Sequence, residues 1–438
     1  METFSREYLG KLSLALELAK IGHEVLIGST HTIRSLSEGA TENAVYYEIK
    51  GESGISSPHL SKLRQKKILT VLQDEEAGIS YLNYEDFVKL RPELFGLNHF
   101  NKIFAWGNVD YEFMSAESVD KTIELTGSPR AVFWGSFGEA FYREITESLR
   151  AVHGEYILLI TNFAWQNSLK SNRQEQKYFE ESNYDSEFYS SYRRRLKWEH
   201  LAYIKTLDLI RSIIENTNYK IILRPHPSER SDVWMKAFPN ESRLMIHKEG
   251  DVTPAILGAS HTLHAGSTVG IEALLHKQST ISYQSLINFV DFPMTANKYS
   301  AGANSLEALI AMLGSGLVYG AKEGFSSFIN QRISSLQTCE PIKVQAEAIS
   351  ELKSSIEPGF VEDQPVLPSD RNNFMLRVKN RLLYGKSAYE SLSLHKRPEI
   401  TLEKIESDSK KVSGILGHEN RFTIEKISES TFRILKCP

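Results

Sequence analysis

The chain has 438 residues, a net charge of −4, 41% hydrophobic and 24% charged residues. That balance is ordinary for a globular protein of two or three domains, and the net charge is too small to imply a nucleic-acid groove or an acidic tail. The two cysteines, Cys339 and Cys437, are far apart in the chain and lack metal-ligand spacing, which points to a reducing compartment without a disulfide framework.

The first element is an amphipathic helix over Leu9 to Lys20, with Leu9, Leu12, Leu16 and Ala19 on one stripe. Gly22 stops it and "EVLIGS" follows as a strand. The surrounding apolar stretch is interrupted by Lys11, Glu17, Lys20 and His23, so it reads neither as a membrane span nor as a signal peptide. The expectation is a cytoplasmic protein, with room for peripheral contact at the inner membrane. Short apolar runs follow at 44–50, 68–73, 102–107 and 123–127, and "SPHLSKLRQKK" reads as a helix between two of them. Strands alternating with helices predict a parallel sheet covered on both faces.

The pattern restarts with "YILLITNF" at 156–163, a helix over 201–217, and the strands "YKIILRPHP", "RLMIHK", "SHTLHAG" and "STISYQS". The chain beyond Gln345 reads as helical and then charged, with "FTIEKISESTFRILK" as a terminal hairpin. The expected division is 1–145, 146–345 and 346–438. Two α/β halves form a cleft, and ligands of such sheets sit beyond the carboxyl ends of the strands.

The residues at those ends are therefore the candidates. Asp74, Glu75 and Glu76 follow one strand; their mutual repulsion suits a base or nucleophile, while acidic residues opening a helix would explain them equally well. In "IILRPHPSE", Pro225 and Pro227 stiffen a tip that projects Arg224 and His226. Arg224 offers a planar fork for phosphate or carboxylate, His226 a donor for a departing phosphate oxygen. Ser228 is a further ligand group on the same tip, or else caps the next helix. In "HAGSTVGIEALLHK", Gly266 permits close approach, Ser267 and Thr268 open a helix whose amides suit a phosphate, and Glu272 shares a face with Thr268. Plain capping explains the serine and threonine, but not a glutamate amid apolar neighbours. His261 and His264 read at least as well as core histidines. "YRRRLKWEH" at 192–200 reads as a solvated helix face, with anionic lipid contact as the alternative. Walker, HExxH, GxSxG and full dinucleotide motifs are missing.

Taken together, "REYLGKLSLALELAKIGHEVLIG", "VLQDEEAG", "FAWG", "TGSPR", "YILLITNF", "LRPHPSE" and "HAGSTVGIEAL" resemble the bacterial surface carbohydrate biosynthesis protein family, which is similar to GT-B glycosyltransferases. The His-Pro pair also resembles the motif of sialyltransferases and retaining Kdo transferases of capsule assembly. The resemblance implies an α/β, GT-B-like fold: two Rossmann-like domains facing across a cleft. It implies a metal-independent glycosyltransferase that needs no cofactor and uses a CMP-sugar donor and a surface glycan or lipid-linked acceptor. On that reading His226 and one carboxylate of Asp74, Glu75 or Glu76 are catalytic, and Arg224, Ser228, Gly266, Ser267, Thr268 and Glu272 hold the nucleotide. Two departures stand out. The family opens with a strand before the Arg-Glu segment, where only five residues precede Arg6 here, and its aspartate two places after the "TGSPR" arginine is Val132 here. A UDP-sugar 2-epimerase-like enzyme and a non-catalytic glycan-assembly scaffold are the alternatives.

Overall fold

The computed structural model describes residues 1, 4–40, 43–49, 58–75, 78–89, 100–117, 122–164, 166–168, 186–284, 294–355, 400–418, 421–428 and 430–437. The strands in chain order are β1 (Val25–Gly28), β2 (Val45–Glu48), β3 (Leu69–Leu72), β4 (Lys102–Ala105), β5 (Thr122–Leu125), β6 (Tyr156–Ile160), β7 (Lys220–Arg224), β8 (Leu244–Ile246), β9 (His261–His264), β10 (Thr280–Tyr283), β11 (Ala301–Ala303), β12 (Phe422–Ser428) and β13 (Thr431–Lys436).

Six of them form a parallel sheet in the order β11-β10-β9-β6-β7-β8. The chain enters at β6 in the middle, moves outward through β7 and β8, then returns to the other side of β6 with β9. Strand order therefore reverses beside β6, the position where open α/β sheets bind ligands. β6 earns its central place by composition: all five of "YILLI" are buried, each side chain contributing about 1.5–3 kcal/mol by burial. The short strand β11, "AGA", carries no apolar periodicity and gave no sequence signal.

The amino-terminal sheet is smaller, with parallel strands in the order β2-β3-β4-β5. β1 does not join it. It pairs antiparallel with β13 in a three-stranded sheet, β1-β13-β12, so the expected terminal hairpin forms and docks onto the start of the chain.

The helix Phe4–Lys20 extends further toward the amino terminus than its stripe predicts, and it buries two faces rather than one. Leu9, Leu12, Leu16 and Ala19 pack in a core with Phe432 and Ile434 of β13 and Ile405 and Val412 of the helix Leu402–Leu416. Leu14 and Leu18 pack against Val71, Phe104 and Ala346, Ala348 and Ile349 of the helix Glu340–Ser354. The second apolar face is needed because the chain returns from the larger half to cover it. The helix expected at 201–217 is the end of a longer one, Ser186–Asn216. The basic run lies on that helix, with Arg193, Arg194 and Lys197 exposed and Arg195 paired with the buried Glu199 at 2.9 Å. Among the described residues, no helix is long and apolar enough to cross a membrane.

Candidate active site

A cavity of about 300 Å³ opens between the two halves. One wall is the larger sheet's carboxyl edge: the end of β6, the tip after β7, the helix opening after β9, and Asp251 to Thr253. The facing wall is Ser5, Arg6, Leu9 and Gly10 of the first helix, with Arg130, Phe133 and Trp134. The two pieces of the second wall meet because residue 10 is glycine. A Cβ there would lie 2.7 Å from the Arg130 main-chain nitrogen.

The Arg-Pro-His-Pro tip reaches the cavity with Arg224, Pro225, His226, Pro227 and Ser228. Its shape is set by Glu229, which is fully buried. That carboxylate accepts from the main-chain N–H of His226 at 3.0 Å and of Phe163 at 2.8 Å, from the Thr161 hydroxyl at 2.9 Å and from Trp234 Nε1 at 3.3 Å. Burial pushes its pKa up, against these donors. The Ser228 N–H donates to His226 Nδ1 at 3.2 Å, so the neutral ring carries its proton on Nε2. Arg224 behaves differently from expectation. Its fork donates to the main-chain carbonyls of His247, Glu249 and Gly250 and so shapes the 247–250 turn. Burial lowers its guanidinium to about 10, against the upward pull of Asp251, Glu272 and Glu249.

After β9, Gly266 adopts φ +107°, a left-handed conformation suited to glycine, and the chain turns into the helix Thr268–Leu275. Gly266 itself does not line the cavity; Ser267, Thr268, Val269 and Glu272 do. Ser267 caps the helix by accepting from the Val269 N–H at 3.2 Å. His261 and His264 are core histidines: both are buried, and each pairs with a serine hydroxyl, Ser279 at 2.7 Å and Ser300 at 2.9 Å.

Glu272 is buried beside Asp251. The Thr253 hydroxyl lies 2.6 Å from Glu272 Oε1 and 2.8 Å from Asp251 Oδ1. One hydroxyl has one proton, so both acids are satisfied when one of them is itself protonated. Asp251 already accepts from the Tyr142 hydroxyl at 2.6 Å and the Thr253 N–H at 2.9 Å, which assigns the proton to Glu272. Consistently, burial and then Asp251 push Glu272 up to about 7, against the lowering effect of Thr253, Arg130 and Arg224.

Asp74 and Glu75 are buried and are not among the cavity-lining residues; Glu76 lies outside the described residues. The Glu75 carboxylate pairs with Lys11, and its carbonyl accepts from Arg130 Nη1 at 3.0 Å. Burial lowers the Lys11 ammonium, but Glu75 and Tyr47 more than offset it, leaving the pKa raised. The Asp74 carbonyl accepts from Trp106 Nε1 at 2.6 Å. The acidic turn thus stands behind the wall and braces Arg130, which stacks on Trp134 at 4.9 Å. Burial, then Arg6, push the Arg130 pKa down, while Glu75, Glu272 and Glu7 pull it up.

Two α/β units joined across a cleft at their strand ends define the architecture. The fold is GT-B-like. Among solved structures, the wall teichoic acid polymerase TagF is similar to 74% of this chain over 93% of its own, at 12% identity and a TM-score of 0.43. A putative UDP-N-acetylglucosamine 2-epimerase from Listeria monocytogenes matches 76% of this chain and 82% of its own, at 13% identity and a TM-score of 0.41. The pneumococcal O-GlcNAc transferase GtfA, in complex with UDP and GlcNAc, matches 73% and 59%, at 8% identity and a TM-score of 0.37. No family model and no curated protein sequence matches the chain.

Sequence reading missed Arg6, Tyr142, Asp251, Thr253 and Glu229 as parts of this site. Glu229 ends the Arg-Pro-His-Pro stretch and was visible there. Asp251 and Thr253 open a helix before Pro254 and look like ordinary capping residues. Arg6 lies on the first helix and Tyr142 on the helix Ser136–His153, and both reach the cavity where Leu9 and Leu12 of the one and Phe141 and Tyr142 of the other share a core with Phe133.

Proposed function

We propose that the cleft is the active site of a glycosyltransferase that takes a sugar from a CMP-activated donor and places it on a surface glycan or its lipid-linked precursor. The observation that carries this reading is the convergence in one cavity of the His226 tip, the Ser267–Thr268 helix opening and the two arginines, Arg6 and Arg130, of the opposite wall. Helix-opening amides and guanidinium groups are the usual protein ligands of phosphate. Ser267, Thr268 and Ser228 hold the nucleotide phosphate, and the protonated Glu272 donates its O–H to a ribose hydroxyl or accepts a hydrogen bond from one. Arg6 and Arg130 meet the phosphate or the sugar carboxylate, the task first expected of Arg224, which instead holds the turn that carries Asp251.

In the reaction the bond from the anomeric carbon to the phosphate oxygen breaks and one to the acceptor oxygen forms. CMP departs with the electron pair, stabilised by the His226 Nε2–H and the cations. The acceptor's proton passes to Asp251, since Glu272 already carries one. Glu75 serves as that base only if it gives up Lys11. The scheme uses no divalent metal, so EDTA is expected to leave turnover unchanged.

Thermal melting with CMP, CDP, UDP and GDP tests the reading. A ligand at a hundred times its Kd stabilises by about 2.7 kcal/mol, and CMP is expected to do so most strongly. No shift with any of the four overturns the proposal. Release of an epimerised UDP-sugar without acceptor would replace transfer by epimerisation.

A further inference from the structure

The turn after β8 carries a buried lysine that the reaction scheme leaves unused. Lys248 is 8% exposed and does not line the cavity. Burial lowers its ammonium to about 8, with Glu229 pulling it up and Arg224 pushing it further down. An aliphatic side chain would fill the same space without desolvating a charge, so packing alone does not account for an ammonium here.

The bond that this ammonium makes crosses between two loops. Lys248 Nζ donates to the Glu229 carbonyl at 2.5 Å. Glu229 closes the tip after β7: its N–H donates to the His226 carbonyl at 2.8 Å, and its carboxylate takes the His226 N–H at 3.0 Å. In the opposite direction Arg224, at the base of the tip, donates to the carbonyls of His247, Glu249 and Gly250. The two loops leave neighbouring strands, β7 and β8, and the His247 N–H still pairs with the Leu223 carbonyl at 2.9 Å. Each loop therefore sends one cation into the main chain of the other. Gly250, at φ +69°, then turns the chain into Asp251. His226 and Asp251, one from each tied loop, both line the cavity.

We propose that Arg224 and Lys248 form a reciprocal clasp that fixes the spacing of His226 and Asp251. Both are positioning residues, Lys248 acting through the tip and Arg224 through the turn. The inference rests on the transferase reading, in which His226 meets the departing phosphate and Asp251 takes the acceptor's proton. Two groups that serve one transfer must be held together, since a misplacement of about 1 Å can cost on the order of 100-fold in rate. Main-chain carbonyls suit the task, because a cation that holds them fixes the path of the loop and not merely one side chain.

The test joins kinetics to amide exchange, with turnover read as CMP released from CMP-sialic acid or CMP-Kdo, whichever the parent chain uses. Lys248→Met is expected to lower kcat about tenfold or more and to leave donor KM within about twofold. Lys248→Arg, which keeps a cation of similar reach, should recover most of that loss. In a His226→Ala background Lys248→Met should cost less than about twofold, because the group that Lys248 places is already gone. Amide exchange at His226 and Glu229 should quicken about tenfold in Lys248→Met, independently of any turnover. Unchanged exchange, equal losses in Lys248→Arg and Lys248→Met, or a kcat loss as large without His226 as with it overturns the clasp. Should Lys248→Met not fold, Lys248→Gln, one bond shorter and still polar, takes its place under the same outcomes. A parent chain that shows neither a CMP-induced shift in Tm nor transfer overturns the transferase reading, and the exchange result then decides the clasp by itself.

Discussion

The turns after β3 and β7 look alike in sequence, since each ends a buried strand in a cluster of charged or polar groups. Their fates differ. The tip after β7 opens into the cleft because Glu229 draws its polar main chain inward and leaves His226 at the cavity. The turn after β3 is sealed, because Lys11 from the first helix takes up Glu75. A strand end thus becomes a candidate for chemistry only if its charge is not already matched by a residue from elsewhere in the fold, and that counter-ion is invisible in the local sequence.

The sharpest way to break this contrast is to remove the organiser of the open tip. Glu229→Ala takes this acceptor from five donors, Asn167 Nδ2 among them, and is expected to cost on the order of 4 kcal/mol in urea unfolding. A loss below about 1 kcal/mol would mean that the tip holds its shape without that carboxylate.

Next comes the sealed turn. Glu75→Gln strands a buried lysine charge, with an expected loss of about 3 kcal/mol. Unchanged stability together with lost turnover would return Glu75 to the role of catalytic base. His226→Ala should do the converse: turnover falls on the order of 100-fold, while the urea midpoint hardly moves, since the ring is only half-buried. Near-normal turnover in this variant removes His226 from the chemistry.

The last test concerns protons. A carboxyl group that is raised from about 4.3 in the unfolded chain to about 7 in the fold adds stability that is complete below the lower value. That stability is lost as pH climbs through the upper one. Melting temperature should therefore decline between these limits more steeply in the parent chain than in Glu272→Gln. Parallel pH curves for the two would refute a protonated Glu272.

Much of the fold was legible because parallel strands buried on both faces are often continuous apolar runs, as β6 and the middle of β7 are, while β9 and β10 are buried despite their histidines, threonines and serine. The position of the cleft followed from the restart of the strand-helix pattern, which gives two halves, and from the stiffness of Pro225 and Pro227 at a strand's carboxyl end. The site's electrostatics were less legible. Arg224 was rightly placed at a strand end, but three carbonyls of a later turn claim its fork. Arg6 and Arg130 are unremarkable in their own segments and acquire a role only where a glycine lets helix and turn touch. The separation of β1 from β2 was hidden for a related reason: both have the composition of strands, and only the distant β13 reveals which edge β1 uses.

That last pairing bears on how the molecule is made. Val25 aligns with Ile434, and the whole six-stranded half lies between them in the chain. Domains usually fold in the order in which the ribosome releases them. Here β1 must wait for β13 to emerge, and the six-stranded half, whose strands lie between 156 and 303, is complete well before that. The half translated first is thus the last to be finished, and a nascent chain stalled before β13 would present β1 unpaired on that edge to chaperones.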